Sequence, residues 1–225
     1  MTLIITTIRP HDIIVTSDSR ATLEKGDAVT GVIDTYQKIF PSPDHPVVIS
    51  HHGENELGGK PLGQFIAGFA SHLNAGDLTI LDIADQFRAY AHAAVRACLR
   101  DVPPEKHGCG FLIAGFGADD HGPSVVELFW KRHGESLATD EQRWVPTAII
   151  FSGSGSTQAG RTDWHDVAGK PLEKVCAYNE RLLDGAIHAN VPRNSVGGPM
   201  QEIVIQREKW EWLKEPPKPA PTTRP

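Results

Sequence analysis

The chain has 225 residues, enough for one large domain or two small ones, and a formal charge of −6 with no Lys/Arg-rich run, which argues against a general nucleic-acid binder. No apolar run reaches membrane-spanning length, and the N-terminus lacks the basic, apolar and small-residue succession of a secretory signal. Cys98, Cys109 and Cys176 form no CxxC pair, so a disulfide frame and a zinc knuckle are both disfavoured and a reducing, cytoplasmic setting is expected.

In chain order, the β-branched run at 2–9 predicts a strand, Pro10-His11-Asp12 a turn, and 13–17 the returning strand of a hairpin. Residues 19–33 are polar and Gly-containing, and a loop with at most a short ladder is expected. Strand character resumes at 35–40 and at 47–50, predicting a second hairpin over 34–51. After Gly59 the period changes. Pro61 can open a helix to about Leu73 with Phe65, Ile66, Phe69 and Leu73 on one face. A second helix over 79–100, capped by Asp77 or Thr79, carries Ile80, Ile83, Ala84, Phe87, Ala91, Ala94, Val95 and Cys98 at helical spacing. Strands are predicted at 109–116, 124–130 and 147–151, exposed or Gly-rich loops at 131–144 and 152–169, a third helix at 171–189, a turn at 192–199, and a last strand at 201–206.

Runs of strands and runs of helices, without βαβ alternation, predict an α+β fold with antiparallel sheets. One helical layer cannot cover both faces of a sheet, so two sheets face to face with helices outside is the expected arrangement. A single domain over 1–214 is followed by a Pro-rich segment, 215–225, whose composition predicts a polyproline-like, unpacked tail.

Several local patterns have a bland reading that outweighs the sharp one. Gly153 to Gly160 follows a strand and invites nucleotide binding, but the stretch after it is a poor helix former and no parallel βαβ unit is evident. Gly53 to Gly59-Lys60 resembles a phosphate loop only superficially, since Pro61 stands where Ser or Thr is needed. His51, His52 and Glu54 do not form a metal site, because adjacent residues on a strand point to opposite faces and no third ligand has a matching spacing. Lys38 is more informative. A lysine between aromatic and apolar neighbours needs an edge position or a carboxylate partner, and Asp18 at the end of a neighbouring strand is the available one.

Thr2 follows the initiator methionine. With Met1 removed, which the small second residue favours, one residue carries both a hydroxyl nucleophile and an α-amine base. No propeptide longer than Met1 is expected.

Thr2, the SDSRAT stretch at 17–22, QKIF at 37–40, SGSGS at 152–156 and Ser195-Val-Gly-Gly-Pro199 occur in the order and approximate spacing of proteasome β-subunits. Over residues 2–206 the chain resembles that family, and among its members the stand-alone bacterial homologues of β-proteobacteria. The resemblance implies the four-layer αββα sandwich of N-terminal-nucleophile hydrolases, assembly into a homo-oligomeric ring, as a stacked double ring, and threonine-type endopeptidase activity on peptides or unfolded proteins. It implies no cofactor, no nucleic-acid or membrane partner, and an ATP-dependent unfoldase as feeding partner. Carried over by position, Thr2 is the nucleophile, Asp18 and Lys38 the supporting ion pair, and Ser154 and Ser195 the polar groups near the amine. Ala21, Thr22, His51, His52 and Gly53 would line an extended peptide. The sequence departs from the family where Pro192 replaces an aspartate, where His51-His52-Gly53 replaces a small-residue turn, and in a loop before Lys38 about four residues longer. Two other readings remain: a non-catalytic ring subunit of the same fold, and a nucleotide-binding protein using the 153–160 loop.

Overall fold

The β-branched start of the chain folds as expected. In the computed structural model, β1 (Ile4–Ile8) and β2 (Asp12–Ser17) form a hairpin in register Ile4↔Ser17 to Ile8↔Ile13, and every side chain of both strands is buried. The structure describes residues 2–25, 28–73, 77–100, 108–118, 121–133, 136–144, 146–153, 155–156, 167, 169–189 and 196–218. Next come β3 (Ala21–Lys25), β4 (Ala28–Ile33), β5 (Ile39–Pro41), β6 (Val47–His52), and the short β7 (Glu56–Leu57) and β8 (Lys60–Pro61). Helices α1 (Leu62–Ala70) and α2 (Ile80–Leu99) follow, then β9 (Gly108–Gly115), β10 (Ser124–His133), β11 (Ser136–Trp144), β12 (Ala148–Ser152), α3 (Leu172–Ile187), β13 (Gln201–Gln206) and β14 (Trp210–Lys214).

The fold is mixed α+β with antiparallel sheets. One five-stranded sheet runs β12-β1-β2-β13-β14 and the other β11-β10-β9-β6-β5. Ile4, Ile8, Ile13, Val15, Ile203 and Ile205 of the first share one apolar cluster with Val48, Leu112, Ala114 and Val125 of the second, so the two sheets meet through these faces. The opposite face of the first sheet (Leu3, Ile5, Ile14, Val204) packs on α3 through Val175, Leu183 and Ala186. The opposite face of the second (Val47, Ile49, Phe111, Val126, Trp130) packs on α1 and α2 through Phe65, Phe69, Ile83 and Phe87. Helix α2 starts on a capping box in which Thr79 and Asp82 bond each other's backbone N–H.

Four expectations are corrected. Within 19–33 the ladder is longer than expected: Ala21–Lys25 pairs with Ala28–Ile33 as β3 and β4, with a bulge between Leu23 and Glu24. Of the charged stretch 131–144, residues to His133 end β10 and Ser136–Trp144 form β11, paired from Val125↔Trp144 to His133↔Ser136. An edge strand tolerates charge because one side of it faces water. The strand expected over 35–40 is regular only from Ile39, leaving Lys38 in irregular backbone just before it. The strand at 201–206 is not the last, since β14 pairs with it, and its WEWLK alternation is a period-two pattern that the neighbouring Lys, Glu and Pro residues obscured.

Candidate active site

The site is built at one end of β1 and β2, where both strands stop. Leu3 is the residue before β1 and Asp18 the residue after β2. The Leu3 N–H donates to Asp18 Oδ1 at 3.0 Å, and the Asp18 N–H donates back to the Leu3 carbonyl at 3.4 Å. Lys38 Nζ binds the same carboxylate oxygen at 2.8 Å. The other oxygen, Oδ2, accepts from the backbone N–H of Arg20 at 3.2 Å and of Gly197 at 3.1 Å. Asp18 therefore receives four donors while wholly buried, and Lys38 is only 1 % exposed. An ionised carboxylate offers about four lone-pair sites, so this one is fully used. Burial lowers the Lys38 pKa from its ordinary value, against the opposing pull of the Asp18 charge and hydrogen bond.

Thr2 adjoins this pair directly. Its own backbone runs into the Leu3 amide that shares Oδ1 with the ammonium, and it is 6 % exposed. Its carbonyl accepts from the Gly155 N–H at 3.0 Å. The close approach of Gly153 and Gly155 requires glycine: a Cβ on Gly153, at φ +90°, would stand 2.2 Å from the Thr2 oxygen, and one on Gly155 would stand 2.6 Å from Val196 Cγ2. Ser154 and Ser195, expected near the amine, lie outside the described residues, as do Met1 and Pro192.

The Arg20 side chain forms a bidentate pair with Asp34, Nε–Oδ1 2.6 Å and Nη2–Oδ2 3.2 Å, and its guanidinium lies against Gly197, where any Cβ would clash at 2.5 Å. The hydrogen bond from Arg20 holds the Asp34 pKa below the usual carboxylate range.

Ala21 and Thr22 open β3, with Ala21 buried and paired to Ile33, and Thr22 half-buried and paired to Val32. The two histidines at the end of β6 diverge, as strand geometry requires. The His51 ring lies among Tyr36, Phe40 and Phe111, at centroid distances of 5.8, 5.8 and 6.3 Å. Burial first, then the Lys38 charge, push its pKa well down, with only the Gln37 backbone pulling the other way, so the ring is neutral at pH 7. The His51 N–H already donates to the Lys38 carbonyl at 3.2 Å, which removes it from the amides available to an oxyanion. His52 turns toward the Thr2 side. Its Cβ is 3.4 Å from the position of a Gly153 Cβ, its ring stacks on Phe129, and Nε2 stands 3.7 Å from Glu127 Oε1. Gly53, at φ +100°, packs on the Gly108 carbonyl, which a Cβ would approach to 2.4 Å.

The expected pairing of Lys38 with Asp18 is thus present beside Thr2. Sequence reasoning missed three supports: the Gly197 amide on Asp18, the Gly155 amide on Thr2, and Gln201, whose side chain binds the backbone of Tyr36 and Lys38. The only signal for the last was a buried-strand sequence, QEIVIQ, that begins with two polar residues. Burial pushes the thiols of all three cysteines up, Cys98 to about 11 and Cys176 to about 12, away from the thiolate form at neutral pH. Among the described residues no group of three or more His, Cys, Asp and Glu side chains could hold a metal, and no helix is long and apolar enough to cross a membrane. No protein-family model matches the chain, and no curated protein matches it.

Proposed function

We propose that the chain is an N-terminal threonine peptidase with the four-layer αββα architecture of N-terminal-nucleophile hydrolases, working as a proteasome-like homo-oligomeric ring in the cytoplasm. The observation that carries this reading is the buried Lys38–Asp18 ion pair, 2.8 Å long, on the same carboxylate oxygen that anchors the residue after Thr2. A buried ion pair is weak support for stability, and one set beside a candidate nucleophile marks a functional-site candidate.

With Met1 removed, the Thr2 α-amine takes the hydroxyl proton, directly or through one water, and Oγ attacks a peptide carbonyl. The amine has an ordinary pKa of about 7.7–8.0, and the nearby ammonium of Lys38 favours both the free amine and the developing alkoxide. Collapse of the tetrahedral intermediate passes that proton to the leaving amine and leaves an acyl ester on Thr2. Water then hydrolyses the ester and restores the hydroxyl. An extended peptide would lie between the start of β3 and the end of β6. A threonine-directed covalent inhibitor followed by peptide mapping tests the reading: an adduct on Thr2 is expected, and modification elsewhere, or hydrolysis unchanged in Thr2→Ala, sinks it.

The second reading is a ring subunit without activity. The His51 amide is engaged by the Lys38 carbonyl, so an oxyanion would need the N–H of His52 or Gly53, and the second reading holds if neither serves. Absence of inhibitor adduct in an assembled ring would select it. The nucleotide-binding reading is disfavoured because β12, which enters the Gly-rich turn, pairs antiparallel with β1 and so does not form the parallel βαβ unit such turns serve.

A further inference from the structure

Lys38 presents a positional problem. Residues 35–38 belong to no strand, yet the ammonium at their end is held to a single carboxylate oxygen in a wholly buried setting. A lysine side chain is long and flexible, so its head is placed only as well as its backbone is held. The side chain of Gln201 supplies that hold. Its Oε1 accepts from the Lys38 N–H at 3.1 Å and its Nε2 donates to the Tyr36 carbonyl at 2.6 Å. The amide orientation is forced, because the N–H needs an acceptor and the carbonyl needs a donor, and only one of the two orientations satisfies both. The bonds stand where a neighbouring strand's N–H and C=O would, so one side chain replaces a missing ladder partner.

The segment around Gln201 also holds the other member of the ion pair. Gly197 donates to Asp18 Oδ2 at 3.1 Å and accepts from the Ser19 N–H at 3.1 Å, and Gln201 itself pairs with Ser17, one residue before Asp18. The stretch from Gly197 to Gln201 therefore references carboxylate and ammonium to the same end of β2. An apolar side chain of equal size would strand the buried Lys38 N–H and leave the part-buried Tyr36 carbonyl without this donor.

We propose that Gln201 is the positioning residue of Lys38, gripping the 36–38 backbone so that the ammonium is fixed against Asp18 beside Thr2. Its consequence for turnover rests on the peptidase reading, whereas its effect on Lys38 rests on the geometry alone. Burial lowers the Lys38 pKa, so a loosened backbone that admits water raises its titration toward that of an ordinary lysine.

The test is an NMR titration of Lys38 in 13Cε-lysine protein, together with peptide-hydrolysis kinetics, on the wild type, Gln201→Met, Gln201→Asn and Val204→Ala. Gln201→Met is expected to raise the Lys38 titration midpoint and to lower kcat by about a hundredfold with KM little changed, the scale of a 1 Å misplacement. In a Lys38→Ala background the same change is expected to add no further loss. Val204→Ala, on the face of the same strand that packs toward α3, weakens the fold without moving the Lys38 titration. Should Gln201→Met fail to fold, Gln201→Asn, whose shorter amide cannot span both partners, is read in the same way. An unmoved Lys38 titration in the folded variant overturns the proposal, as does additivity with Lys38→Ala. A moved titration in a wild-type background with no peptidase activity overturns the peptidase reading and leaves the positioning role standing.

Discussion

At the scale of single residues, the ion pair between Asp18 and Lys38 dominates. Removing one partner leaves an uncompensated charge among buried groups, and such losses cost about 3–5 kcal/mol. Lys38→Met is therefore expected to lower the urea unfolding free energy by about that amount, and Lys38→Met with Asp18→Asn by less than the sum of the two single changes. The pair also fixes an alkaline limit. Because burial depresses the Lys38 pKa, its charge is lost below the ordinary lysine value of about 10.4, and kcat/KM of the proposed peptidase should fall on the alkaline side before that pH is reached. A profile flat to pH 10.4 contradicts the role given to the ammonium. The pairing itself was legible in the sequence, because a lysine between apolar residues must find a carboxylate. Gln201 was not legible, since nothing in a linear pattern tells which backbone a buried amide will meet 163 positions earlier.

At the scale of elements, α3 and the first sheet are joined by a polar chain inside an apolar interface. Thr7 Oγ1 donates to Asn179 Oδ1 at 3.0 Å, Asn179 Nδ2 to Thr16 Oγ1 at 3.3 Å, and Thr16 Oγ1 to Glu202 Oε1 at 2.8 Å. Burial raises the Glu202 pKa; the Thr16 hydrogen bond opposes this, the neighbouring Glu180 charge adds to it and Lys214 counters. For an acid whose folded pKa lies above its unfolded value, the native state keeps its proton longer. Stability is then full below the unfolded value of about 4.3 and falls as pH rises through the window up to the folded pKa. Glu202→Gln is expected to flatten that slope in urea midpoints followed across this range, and an equal slope in both proteins would refute it. On α2, Thr79→Ala removes the capping box and should cost about 1 kcal/mol, readable as a lower thermal midpoint. The helices were legible from their 3.6-residue apolar period, and the first hairpin from two short β-branched runs around a turn. Strands β11 and β14 were not, because charges on an exposed edge imitate a loop.

At the scale of the molecule, the two five-stranded sheets share one apolar cluster, and apolar residues on their other faces pack on α1, α2 and α3, so β1 and β2 are buried along their whole length. Four of the large apolar side chains left exposed, Leu23, Val29, Val32 and Ile33, sit on the β3–β4 hairpin, which pairs with neither large sheet. An isolated two-stranded hairpin is marginal in water. Native mass spectrometry tests the proposed assembly: multiples of a mature subunit one methionine lighter than the translated chain are expected, and a lone monomer across micromolar concentrations contradicts the ring.

The amino-acid sequence alone determined the α+β class, the opening hairpin, the helices and the identity of the charged pair, because these follow from local periodicity and from the cost of burying an unpaired charge. Only the tertiary structure decided which amides surround Asp18, that the His51 N–H is already engaged, and that Gln201 holds the backbone of Lys38. Those outcomes depend on which distant segments meet at the end of β1 and β2. A hydrogen bond is set by that meeting of backbones and leaves no period in the chain to read.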